Sequence, residues 1–153
     1  MFTTPDPQRV DGYVQATKPL FVSGVLITGL RVRFQGGRAV EIQADRGADT
    51  LRGLSDPDPG AARLGEVALV DRDGRVGPLH TVFFDTLLDE NAASHVALGQ
   101  GYELAVEGEQ HLSAVNRSEI HIDFMIGGGD VDVTGLKADD DELPLLRDGT
   151  WQM

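Results

Sequence analysis

Two residues with chemistry to offer stand two apart in the run Ser118-Glu119-Ile120-His121-Ile122-Asp123-Phe124-Met125-Ile126-Gly127. If this segment is a strand, His121 and Asp123 project from one face, and Ile120, Ile122, Phe124 and Ile126 from the other. An imidazole and a carboxylate mounted side by side above a buried apolar layer make a rigid pair of hard N/O donors, suited to Zn, Co or Mn. A solvent-facing polar stripe on a half-buried sheet satisfies the same short spacing. Glu66 stands at the entry to the apolar run Val67-Ala68-Leu69-Val70, where an acid is either an exposed strand end or a group projecting into a site. Glu90 and His95 are five residues apart. On an ideal helix they lie well off one another's face, so a shared ion requires Glu90 to sit in the capping turn. Tyr102 follows beyond a pair of glycines and reads equally as a packed tyrosine or a hydrogen-bond donor.

The elements that must position these groups are mostly strands. Val10 to Thr17, Ser23 to Phe34 and Val40 to Ala44 have extended character, and Gln35-Gly36-Gly37-Arg38 between the last two is a hairpin turn. Asp49 to Leu54 suits a short helix, and Ser55 to Gly60 a loop. Glu66 to Val70 and Leu79 to Phe84 are strand-like, with a turn at Asp71-Arg72-Asp73-Gly74. The main helix is expected near 89–99, capped by Asp89 or Asn91, with an apolar stripe of Ala92, Ala93, Val96 and Ala97 and a stop at Gly99 or Gly101. Glu119 to Ile126 is the cleanest strand. The expected class is α+β: a strand-dominated curled sheet or barrel-like domain with one main helix and short flanking helices.

Composition narrows the chemistry. The 153 residues suit one domain, and 25 acids against 13 bases give a net charge of −12. That sign disfavours nucleic acid and anionic membranes as partners and favours cations, whether a metal or a substrate's amine. With no cysteine, disulfides and thiolate zinc sites are excluded, so a metal must be held by His and carboxylate. No signal-like start or membrane-length apolar run is present, so a cytoplasmic location is expected. Asp130, Asp132 and Asp139 to Asp141 form either a solvated acidic loop or a calcium site. A non-catalytic reading, in which an acidic β-rich domain self-associates, stands beside the enzymatic one.

The order of several separated segments is more specific than any one of them. Leu64-Gly65-Glu66-Val67-Ala68-Leu69-Val70, Asp89-Glu90-Asn91-Ala92 leading to His95, then Tyr102, the His121–Asp123 strand and the closing Arg147-Asp148-Gly149-Thr150-Trp151 together resemble the C-terminal part of the aminopeptidase T/aminopeptidase S/PepS family. The opening Phe2-Thr3-Thr4-Pro5, Gly12 and Lys18-Pro19 fit the same pattern. The resemblance covers essentially all of residues 1–153 and implies a metal-binding catalytic domain that releases N-terminal residues from peptides, as a homodimer. It implies two divalent ions, zinc, cobalt or manganese. Carried over by motif, Glu66 resembles the family's bridging glutamate, Glu90, His95, His121 and Asp123 its other metal ligands, and Tyr102 the tyrosine near the scissile carbonyl. A further ligand glutamate in the family's P-T-E-E-V segment precedes F-T-T-P and falls outside this chain, as does the family's N-terminal domain. Weak or absent activity, with one ion or none, is the corresponding expectation.

Overall fold

His121 to Met125 does what its period-two pattern dictates, and the remaining strands are arranged around it. The computed structural model describes residues 1–152. Its strands are β1 (Phe2–Thr3), β2 (Gly12–Gln15), β3 (Leu20–Val22), β4 (Val25–Ile27), β5 (Arg31–Gln35) and β6 (Arg38–Gln43). After helix α1 (Ala48–Leu54) come β7 (Leu64–Ala68), helix α2 (Thr86–Asp89), β8 (His95–Gly99) and β9 (His121–Met125). The chain ends with β10 (Val133–Leu136), β11 (Glu142–Arg147) and β12 (Thr150–Trp151). Among the described residues the strands form four separate antiparallel sheets, ordered β1-β7-β8-β9, β2-β5-β6, β3-β4 and β10-β11-β12. The fold is mixed and strand-rich; the barrel-like closure expected from the sequence is not formed.

The expected hairpin is β5–β6, joined by Gly36-Gly37 and paired from Arg31↔Gln43 to Gln35↔Arg38 with one register shift between Arg33 and Phe34. The expected helix at Asp49 to Leu54 is α1, which seats Leu51 in the core. One apolar core lies between the four-stranded sheet and the N-terminal strands: Val96, Leu98, Ile122 and Phe124 pack with Leu20, Ile27, Leu30, Val32, Phe34, Ile42 and Leu51. Burying such side chains supplies most of the drive to fold.

The helix expected over 89–99 is corrected. Only Thr86–Asp89 is helical, capped by Asp85, whose carboxylate accepts from the Leu88 amide at 3.3 Å. The chain then enters β8, all five residues of which are buried in the middle of the four-stranded sheet. A strand buried on both faces has no polar/apolar alternation, so its small apolar residues imitate a helical stripe. Leu79 to Phe84 is also corrected: a short 3-10 turn at Gly77–Leu79 is followed by irregular chain, and His80 and Phe84 take positive φ.

The strand crossing beside β8 depends on glycine at two places. A Cβ on Gly65 would lie 2.3 Å from the Gln100 carbonyl oxygen, and one on Gly99 2.1 Å from that of Ile120. Gly99 also has φ +102°, a conformation closed to most side chains.

Candidate metal centre

Register across the four-stranded sheet assembles the site. Glu66 pairs with Ala97 and Ala97 with Asp123; Ala68 pairs with His95 and His95 with Met125; Gly99 pairs with His121. Residues paired across a sheet share a face, so Glu66, His95, His121 and Asp123 all rise from the side opposite the Val96, Leu98, Ile122 and Phe124 core. The central strand presents only Ala97 and Gly99 between them. These small residues leave a pit, and the longer side chains from β7 and β9 close over it.

The distances within the pit are short. His121 Nε2 lies 3.2 Å from Glu66 Oε2 and 3.4 Å from Asp123 Oδ1, and His95 Nε2 lies 3.7 Å from Glu66 Oε1. Ligating atoms of Glu66, His95 and Asp123, all three residues buried, fall within 4.8 Å of one another. Each imidazole is oriented from behind: His95 Nδ1 meets the Ala93 carbonyl at 3.1 Å, and His121 Nδ1 meets the Gln100 carbonyl at 2.8 Å. An Nδ1–H donated to a carbonyl fixes the tautomer that leaves Nε2 to bind a cation. Asp123 Oδ1 is buried without a hydrogen-bond partner among the described residues. His121 is near enough to attract it by charge but lacks the alignment of a hydrogen bond. A buried carboxylate oxygen left this way needs a cation.

The electrostatics agree with the geometry. Burial favours a neutral Glu66, but His121 and His95 beside it outweigh this and hold its pKa at about 2. Asp123 and then Glu66 push His121 up to about 10, against the effect of burial. For His95 burial acts downward, yet the Glu66 carboxylate prevails and its pKa is raised. Glu90 is raised by burial and by the charge of Asp123, and Tyr102 by burial and by the charges of Glu66, Asp123 and Glu90. In the metal-free chain, protons on the imidazoles therefore stand where a divalent cation would.

Of the six site residues expected from sequence, four form this cluster directly. Tyr102 joins at its edge, with its hydroxyl 3.3 Å from His121 Nε2 and its ring packed edge-on against Phe2 at 5.5 Å. Glu90 lines the same cleft, of about 420 Å³, with Glu66, His95 and Tyr102, and stands outside the three-residue ligand group. The helical spacing considered for Glu90 and His95 does not apply: Glu90 is the C-cap of α2 and His95 the first residue of β8. Residues that the sequence did not disclose are Ala93 and Gln100, which act through backbone carbonyls, and Phe2 and Thr4. Thr4 accepts from the Tyr102 amide at 2.9 Å and donates to its carbonyl at 3.1 Å. No side-chain pattern marks a carbonyl acceptor. Among the described residues, the acids Asp130, Asp132 and Asp139 to Asp141 form no comparable ligand group.

The donors fit a borderline or hard divalent ion: imidazole nitrogens with carboxylate oxygens, in a chain without thiols. Comparison with known proteins points the same way. The chain is 49% identical over 156 residues to aminopeptidase T of Thermus aquaticus and 40% identical over 158 residues to aminopeptidase AmpS of Bacillus subtilis (strain 168). Each match covers 99% of this chain and 38% of the relative, so the chain spans well under half of their length. The solved structure of wild-type AmpT from Thermus thermophilus aligns with a TM-score of 0.94 at 48% identity, covering 99% of this chain and 39% of that one. The family described as thermophilic metalloprotease (M29) matches residues 1–151. With the match extending across β1 to β12 and the whole ligand cluster, this chain belongs to the thermophilic metalloprotease (M29) family.

Proposed function

We propose that the chain is a metal-dependent aminopeptidase domain that hydrolyses N-terminal residues from peptides, with Glu66, Glu90, His95, His121 and Asp123 as its metal-holding set. One observation carries the reading. Two imidazoles committed through Nδ1 to backbone carbonyls turn Nε2 toward the Glu66 and Asp123 carboxylates, one of whose buried oxygens lacks a partner. A neutral imidazole would point a lone pair at anionic oxygen, which is repulsive unless a proton or a cation lies between. Zinc, cobalt or manganese would fit this donor set, and Glu66, His95 and Asp123, whose ligating atoms lie within 4.8 Å of one another, would hold an ion. When bound, such ions polarise the scissile carbonyl and lower the pKa of bound water.

The protein's own groups supply the rest. Glu66, held ionised, accepts the proton of the attacking water. Tyr102, kept protonated by burial and by the carboxylates around it, would donate to the oxygen on which charge develops. The carboxylates attract a substrate's free N-terminal amine. The reading extends to a cytoplasmic homodimer acting on peptides, with neither nucleic acid nor membrane as partner. The −12 net charge disfavours nucleic acid and anionic membranes as partners, and among the described residues no helix is long and apolar enough to cross a membrane.

Cobalt(II) titration tests this proposal. The expected result is a visible ligand-field spectrum in the wild type that is lost in the Asp123→Asn/His95→Ala double variant. Turnover of leucine p-nitroanilide by the cobalt-loaded chain, expected to be weak, should be abolished by EDTA and lowered about 100-fold by Tyr102→Phe, with cobalt binding unchanged. A chain that produces no cobalt spectrum, or a spectrum indifferent to the double variant, refutes the reading.

A further inference from the structure

A second cleft, of about 390 Å³, adjoins the metal centre and has the opposite electrostatic character. Its charged and titratable lining consists of Lys18, Arg72 and His80, with no Asp or Glu, in a chain carrying 25 acids. The two clefts meet at Val70, which lines both. The segment that follows α2 divides them: Glu90 and Asn91 face the metal cleft, whereas Ala92 to Ser94 face the cationic one.

The cationic cleft is built to leave donors available. Lys18 is half-buried and forms no ion pair among the described residues. Arg72 is anchored by its amide, which donates to the Gly149 carbonyl at 2.8 Å, and its guanidinium lies across bare Gly129. Its Nε donates to Asp73 at 3.3 Å and its Nη1 to the Gly129 carbonyl at 3.4 Å, which leaves Nη2 without a protein acceptor among the described residues. The wall at Gly127 must stay bare, because a Cβ there would lie 2.4 Å from the Ser94 nitrogen. The amides of Gly128 and Gly129 donate to no protein acceptor among the described residues. Two cations and two amides without a protein acceptor line this one cleft, donors of the kind a carboxylate accepts from.

We infer that this cleft is a carboxylate subsite for the C-terminus of short peptides whose N-terminus lies at the Glu66 cluster. The inference rests on the aminopeptidase reading and adds a substrate class to it: zwitterionic peptides of about four residues. Spacing sets that length. Glu66 and Val70 are four residues apart on nearly extended chain, roughly 13 Å at about 3.3 Å per residue. An extended peptide advances by about 3.3–3.6 Å per residue, so four residues cover that interval and three fall short of it. Opposite charges at the two ends of the groove also fix the direction in which the peptide lies.

The test is a binding measurement on the zinc-loaded chain, using Leu-Gly-Gly-Gly with its first amide reduced to a methylene-amine so that it resists hydrolysis. Isothermal titration compares this acid with its C-terminal carboxamide. The acid is expected to bind about three- to tenfold more tightly, the range for charge-assisted contacts near solvent. Lys18→Gln should erase the difference while leaving the carboxamide's affinity unchanged, and Lys18→Arg should keep it. In ¹⁵N spectra, the Gly128 and Gly129 amides should shift with the acid only. Equal affinities for acid and carboxamide in the wild type overturn the subsite, as does a preference that survives Lys18→Gln. If zinc itself fails to bind, the aminopeptidase reading falls and this inference falls with it; zinc binding without acid preference sinks the subsite alone.

Discussion

Loading a divalent ion into the Glu66 cluster should expel at least one proton. His121 Nε2 faces Glu66 at 3.2 Å and Asp123 at 3.4 Å, and these carboxylates push its pKa to about 10. At pH 7 the metal-free chain therefore holds a proton where the metal must bind. Displacing it across three pH units, at roughly 1.36 kcal/mol each, costs about 4 kcal/mol of apparent affinity. Affinity should accordingly rise about tenfold for each pH unit between 6.5 and 8 from His121 alone. His95, also raised, steepens that slope while it remains protonated. Zinc calorimetry in two buffers of different ionisation enthalpy counts the protons directly, and at least one should be released at pH 7. The His121→Ala variant should release one fewer and bind more weakly. A pH-independent affinity over this range, with no proton release, would falsify the assignment of Nε2 as a ligand atom.

Two further outcomes follow from the same geometry. Without metal, Glu66 titrates near 2 instead of its usual 4.5, so its contribution to stability is present above about pH 4.5 and lost as pH falls through 2. His121, raised from 6.5 to about 10, contributes fully below about 6.5 and loses that contribution as pH rises through 10. Urea midpoints in EDTA should therefore be highest between about pH 4.5 and 6.5; a midpoint that climbs from pH 6.5 to 9 contradicts the ion pairing. Ala97→Leu places three carbons in the pit between Glu66 and Asp123, at a residue with no exposed surface. It should abolish zinc binding at a cost of about 1–3 kcal/mol in stability, read from calorimetry and denaturant unfolding; unchanged zinc affinity would show that the ion does not sit over β8.

The parts of the site that were legible in the sequence are those governed by local periodicity. Alternation in Ile120-His121-Ile122-Asp123-Phe124 has a period of two, which is enough to place the imidazole and carboxylate on one face and the core residues on the other. The observed β9 does this, with Ile122 and Phe124 buried in the core. The Gly36-Gly37 hairpin and the helix at Ala48–Leu54 are local in the same sense. The amino-acid sequence by itself also determined the donor chemistry: with no thiols and an excess of carboxylates, a cation site has to be built from His and acids.

Tertiary structure alone decided how those donors meet. Ala92, Ala93, Val96 and Ala97 satisfy a helical stripe as well as a doubly buried strand, and only burial between β7 and β9 resolves the choice in favour of the strand. Pairing register is non-local, so nothing near Glu66 in the chain specifies that it stands in one row with Ala97 and Asp123. The carbonyls of Ala93 and Gln100 that orient the two imidazoles are backbone groups common to every residue type, and their role exists only once the strands are in place. Side-chain identity specified the ligands, and the pairing of three distant strands turned them into a site.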